Sequence, residues 1–192
     1  MRRDAADCRA CPLWQTGTQT VFGEGAASAQ VVFVGEQPGD QEDKQGRPFV
    51  GPAGRVLDEA FELAGIDRST TYVTNAVKHF KWTARGKRRI HAKPSWSEIA
   101  ACHPWLQSEL EVIEPTVVVC LGATAAQALL GKQFRVTRQR GTWVESDLAE
   151  HVTATIHPSS ILRQRTDEDR HREMEGFVED LKLVAVVIEK AS

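Results

Sequence analysis

The segment Gln30-Val31-Val32-Phe33-Val34-Gly35-Glu36-Gln37-Pro38-Gly39-Asp40 decides the fold. Its apolar part is short, rich in β-branched residues and closed by a Gly/Pro turn. That is the pattern of a strand buried on both faces, not of a core helix. Three more runs share it: Thr71 to Val77 (TYVTNAV), Thr116 to Gly122 (TVVVCLG) and His151 to Ile156 (HVTATI). Between them the apolar spacing is helical. From Gly54 to Ala64, Val56, Leu57, Ala60, Phe61 and Ala64 share one face, and Gly65 stops the pattern. From Ser95 to Ile113, Trp96, Ile99, Ala100, Leu106, Leu110 and Ile113 form a stripe, opened by Ser95 and Glu98 as a capping box after Pro94. A short helix is expected over Ala123 to Leu130 and a last one over about Asp169 to Ile188. Alternating strands and helices predict an α/β fold: a three-layer α/β/α domain spanning 1–192 with a central four-stranded, mostly parallel sheet.

Bulk properties narrow the function classes. The 192 residues are 41% hydrophobic and 26% charged, too apolar for a disordered chain. No stretch approaches the roughly 20 apolar residues that cross a bilayer. Met1-Arg2-Arg3-Asp4 leads into polar sequence without the apolar core of a secretion signal. The expectation is a cytoplasmic protein with no membrane partner. Lys and Arg total 24 against 26 Asp and Glu, a net charge of -2. A globally basic nucleic-acid binder is excluded; a local basic patch is not.

Three long connections, Glu36 to Pro52, His79 to Pro94 and His157 to Thr166, each follow a strand. They should emerge together at the carboxyl edge of the sheet, where open α/β folds bind ligands. The first matches neither the phosphate-binding Walker loop nor the dinucleotide fingerprint. The second is unusual: Ala76 to Ser97 holds Lys78, Lys81, Arg85, Lys87, Arg88, Arg89 and Lys93 with no Asp or Glu, interleaved with two His, two Trp and a Phe. Basic residues laced with aromatics at a ligand edge point to a polyanion, above all nucleic acid. Glu36 and Gln37, Asn75, and His157 close three different strands and should converge on one polar site.

The motifs GEQPG, TNAVKHF, CHPWL, LGATAAQALL and HPSSILR, in that order, resemble the family 4 uracil-DNA glycosylases from Cys8 to about Leu181. Two departures look like the UdgX class, whose members become covalently attached to DNA. Gln37 stands where the usual GEAPG turn has alanine, and Lys87-Arg88-Arg89-Ile90-His91 is an inserted basic loop. The resemblance implies base flipping of uracil-containing DNA; a single-stranded substrate and a monomer are expectations that neither the resemblance nor the residues decide. It implies that Phe49 stacks on the flipped base, that Asn75 pairs with the uracil edge, and that His157 donates to the uracil oxygen where negative charge collects. Gly39 and Asp40 would assist through their turn amides. Lys78, Lys87, Arg88, Arg89, Ser159 and Arg163 would hold the backbone.

In the UdgX class the loop histidine, here His91, attacks the sugar cation in place of water. That needs a neutral imidazole, already the majority form near pH 7 for an ordinary His of pKa ~6.5. Glu36 is a candidate orienter of His91, and Gln37 packs against the same loop. Two other readings stay open: turnover glycosylase activity with His91 only assisting, and a non-catalytic protein that binds uracil or abasic DNA.

Four cysteines without a secretion signal point to a metal, a cluster or buried thiols. Counted simply, they are Cys8, Cys11, Cys102 and Cys120. The family pattern instead implies a [4Fe-4S] cluster on Cys8, Cys11, His79 and Cys102, because His79 occupies the place of a family cysteine. Cys120, inside an apolar run, then belongs to the core. Zinc on the same ligands is the alternative.

Overall fold

The computed structural model describes residues 1–191. Its elements in chain order are α1 (Arg2–Ala6), β1 (Glu24–Gly25), β2 (Val31–Gly35), α2 (Asp40–Gln45), α3 (Pro52–Ala64), β3 (Thr71–Asn75), β4 (Trp82–Arg85), β5 (Arg88–His91), α4 (Trp96–Ile113), β6 (Val117–Leu121), α5 (Ala123–Leu130), α6 (Val136–Gln139), β7 (Trp143–Val144), β8 (His151–Thr155), α7 (Pro158–Leu162) and α8 (Asp167–Ala191).

The four expected strands lie side by side and parallel in the order β3-β2-β6-β8, with Val31 opposite both Thr71 and Val117, and Val117 opposite His151. Every residue of β2, β3 and β6 is buried, which explains why β2 and β6 read as unbroken apolar runs. Two residue pairs at each side, β1 on β3 and β7 on β8, extend the sheet antiparallel to six strands. Alternate strand residues face two cores. Val31, Phe33, Val73, Val119 and Leu121 pack against α3 and α8, while Val32, Val34, Val118 and Cys120 pack against α4 and α5. The α/β/α sandwich follows from that alternation.

The helices begin where the signals stood: Ser95 Oγ accepts from the Glu98 amide and the Glu98 carboxylate accepts from the Ser95 amide. The three long connections are not bare loops. The first holds α2, the second folds into the antiparallel β4–β5 hairpin, and the third opens with α7. Among the described residues no helix is long and apolar enough to cross a membrane.

Candidate active site

A cleft of about 840 Å³ opens at the carboxyl edge of the sheet, lined by Glu36, Gln37, Gly39, Asp40, Phe49, Asn75, His91, Lys93, Thr124, His157, Ser159 and Arg163 among others. All three connections contribute, as the strand order requires.

Its floor is built from two close approaches. A Cβ on Gly35 would lie 2.4 Å from Asn75 Oδ1 and 2.7 Å from Phe49 Cζ, so only glycine lets these two side chains meet over the end of β2. Phe49 is buried and holds a left-handed φ of 55°, a costly conformation for an aromatic residue that aims its ring inward. The ring stacks on His157, centroids 6.2 Å apart and 29° between planes. The loop carrying Phe49 is tied by Glu42, whose carboxylate accepts from the amides of Gly51 (2.7 Å) and Gly39 (3.1 Å). The Gly39 amide is therefore committed inside the protein.

His157 caps α7. Its Nδ1 accepts from the Ser159 amide at 3.1 Å, so the single proton of the neutral ring sits on Nε2. Burial pushes its pKa down to about 4; Glu36 opposes that shift, and Arg163 and His91 add to it. The ring enters the cleft neutral, as a donor. Arg163 donates to Ser159 Oγ at 2.9 Å, completing this wall.

Glu36 stands between the two histidines. Burial raises its pKa, but hydrogen bonds from His91 and Thr124 more than offset that, and the net shift is downward. Its Oε1 lies 3.3 Å from His91 Nε2, and Thr124 Oγ1 donates to its other oxygen. His91 ends β5 with its side chain 49% exposed.

The hairpin is held at two levels. At its root, Gln37 is 6% exposed and uses its whole amide: Nε2 donates to the carbonyls of Lys81 (3.1 Å) and Ala92 (3.0 Å), and Oε1 accepts from the Lys81 amide (3.1 Å). Higher up, Arg89 donates to Asp40 Oδ1 and Asp43 Oδ2, each at 2.6 Å, and lies over Phe80 and Trp82. Asp43 is fully buried and also accepts from Thr18. Arg89 was expected on phosphate; it latches the hairpin to α2 instead. Arg89 and His91 do share a face of the strand, as two-residue spacing requires.

Lys78 was also expected on phosphate, and here the structure corrects the expectation. Its side chain is 1% exposed, and Nζ donates to Glu109 Oε2 (2.5 Å), Thr74 Oγ1 and the Asn75 carbonyl (both 2.7 Å). A buried ammonium is stable only when paired and hydrogen-bonded in this way. Lys87 and Arg88, at the hairpin tip, are exposed and free of carboxylates among the described residues.

Cys8, Cys11 and Cys102 lie near enough to act on one another electrostatically. Burial pushes the Cys102 thiol up to about 11, Cys11 and Cys8 add to that, and Lys78 opposes it. Cys102 Sγ accepts from the Lys78 amide (3.1 Å) and Cys8 Sγ from Trp105 Nε1 (3.2 Å). His79 is buried with Nε2 3.0 Å from Thr20 Oγ1. The donor types suit a thiolate-held group, but among the described residues no three His, Cys, Asp or Glu side chains are gathered tightly enough to hold a metal ion. Cys120 lies fully buried in the sheet.

Glu42, Asp43, Thr18, Thr124 and Glu109 escaped the sequence reading. Only Glu42, three residues after Gly39, carried a local signal: a carboxylate spaced to reach back to the amide that opens α2.

Residues 22–182 match the model of the uracil DNA glycosylase superfamily. The chain is 41% identical over 171 residues to the type-4 uracil-DNA glycosylase of Thermotoga maritima, covering 88% of this chain and 85% of that one. It is 35% identical over 170 residues to the type-4 enzyme of Sulfurisphaera tokodaii (84% and 74% covered) and 37% over 167 residues to that of Archaeoglobus fulgidus (83% and 80%).

Proposed function

The chain belongs to the uracil DNA glycosylase superfamily, and on that premise we propose that it excises uracil from DNA and then joins itself to the abasic sugar through His91. One observation carries the second half of the reading: His91 and His157 line the same cleft, with the Glu36 carboxylate between them.

The flipped uracil stacks on Phe49 and pairs with the Asn75 amide, which donates to O4 and accepts from N3–H. Cytosine offers the opposite pattern and would leave buried groups unpaired, a loss of roughly 1–3 kcal/mol. As the bond from C1′ to N1 breaks, its electron pair moves into the ring and onto O2. The Nε2–H of His157 donates to that oxygen. The ionised Glu36 stabilises the sugar cation. The unprotonated nitrogen of His91 then gives its lone pair to C1′, and the proton on its other nitrogen passes to Glu36 or water. Gln37 and Asp40 act one step removed, by fixing the hairpin on which His91 stands.

Single-stranded DNA suits this site because the base needs no unpairing before it enters. Cys8, Cys11, Cys102 and His79 would hold a [4Fe-4S] cluster that ties the N-terminal segment and α4 to the base of the hairpin, with no part in the reaction. Cys8→Ser should then lose the visible absorbance of the purified protein and Cys120→Ser should keep it; loss in both would shift the ligand set to the four cysteines.

The test of capture is a denaturing gel after incubation with uracil-containing single-stranded DNA. A shifted protein–DNA band is expected, absent in His91→Ala. Abasic product without a shift in the parent protein would leave a turnover glycosylase, and no product at all would leave a binder.

A further inference from the structure

Acidic residues are missing not only from the basic hairpin region but also from Pro115 to Val144, which carries Lys132, Arg135, Arg138 and Arg140. Arg140 is taken up by Asp180 and Glu173. The other three are exposed and, among the described residues, form no ion pair.

This second basic segment runs on from the cleft. α5 starts there, with Ala123 and Thr124 in the wall, and its eight residues climb about 12 Å to Gly131 and Lys132. Lys132 Nζ ends 5.2 Å from the ring centroid of Trp96. Trp96 opens α4 three residues beyond Lys93, itself a cleft residue, and is 40% exposed. Glu98, the carboxylate in the first turn of α4, is spent on Lys81 and the Ser95 amide and leaves the patch positive.

An exposed indole beside unpaired cations, continuous with a nucleotide-sized cleft, has the parts of a single-strand platform. Bases stack on the ring whatever their sequence, and cations follow the phosphates. We infer that Trp96 and Lys132, with Arg135 beyond them, form a second DNA contact that holds the strand flanking the flipped nucleotide. The inference rests on the uracil-DNA reading and extends it: the cleft supplies chemistry, and the platform supplies grip on a few neighbouring nucleotides.

The test uses Trp96→Ala, Trp96→Phe and Lys132→Glu against three single strands: a trinucleotide with central uracil, a 15-mer with central uracil, and a uracil-free 15-mer read by fluorescence anisotropy. In single-turnover reactions Trp96→Ala should raise the half-saturating protein concentration for the uracil 15-mer about tenfold, leaving its maximal rate and the trinucleotide unchanged. Trp96→Phe should recover most of that loss. On the uracil-free strand Lys132→Glu should lower the slope of log affinity against log salt by about 0.7, one phosphate's share. Equal losses on trinucleotide and 15-mer, or unchanged binding of the uracil-free 15-mer in every variant, would overturn the platform and leave the patch to some other partner. Failure of the parent protein to release uracil would overturn the glycosylase reading instead, and the anisotropy arm would still decide the platform.

Discussion

His157 and His91 reach one cleft from supports of opposite character. The α7 cap that carries His157 is half-buried, stacked on Phe49 and wired by Ser159, so the ring is neutral with its proton on a known nitrogen. The hairpin that carries His91 stands out from the sheet, half in solvent, and meets Glu36 at 3.3 Å. Preorganised donors suit a charge that develops at a fixed place. A nucleophile that acts only after the base has separated needs room to advance. In the proposed reaction the wired α7 would serve bond breaking and the half-exposed end of the hairpin would serve bond making.

Three perturbations pull the two regions apart. The largest effect is expected on the bond-breaking side. Asn75→Asp exchanges an amide donor for a carboxylate against uracil O4 and should slow base release about a hundredfold, by the cost of one unpaired buried group and a repelled oxygen. Quantifying free uracil checks it, and unchanged release would move base reading to another residue. Next comes the hairpin. Arg89→Ala cuts the latch to Asp40 and Asp43 and should slow capture roughly tenfold or more, as small misplacements of a nucleophile do. Base release should change far less. Arg89→Lys should recover only part, because one ammonium does not span two carboxylates as a guanidinium fork does. Equal loss of both steps would mean that the hairpin also shapes the base pocket.

The smallest effect is one of stability. The His157 pKa falls from 6.5 unfolded to about 4 folded, so the native state binds fewer protons across that window and loses stability as pH falls through it. Glu36, lowered below 4.5, adds a loss further into acid. The melting temperature should drop by a few degrees between pH 7 and pH 5, at about 2–4 °C for each kcal/mol in a chain of this size. His157→Gln should flatten that part of the curve. A curve as steep in His157→Gln as in the parent protein would assign that loss to another group.

Much of this was legible in the sequence, and the failures have a common cause. The four inner strands, the four longer helices and the edge at which Glu36, Asn75 and His157 converge follow from apolar period and strand order, both local properties. Edge strands β1 and β7, two residues each, are too short to carry a period. Lys78 and Arg89 sit in the same acid-free run as Lys87 and Arg88, and charge pattern alone gave all four one role. Their partners decide otherwise: Glu109 is 31 residues from Lys78, and Asp40 and Asp43 are 49 and 46 from Arg89. Pairing across such separations is written in the fold and not in the neighbouring sequence. The same holds for Thr124, whose hydroxyl meets Glu36 only because β2 and β6 are adjacent.

Gln37 grips the hairpin solely by main-chain groups, two carbonyls and one amide at the residues where the ribbon leaves and rejoins the body. Such a clasp is blind to the side chains beyond it. With Arg89 kept as the second hold, the tip beyond it can be rewritten or lengthened while the framework and the base pocket stay as they are. A scaffold with this clasp is a natural chassis on which the reactive group of a DNA-directed ribbon can be exchanged.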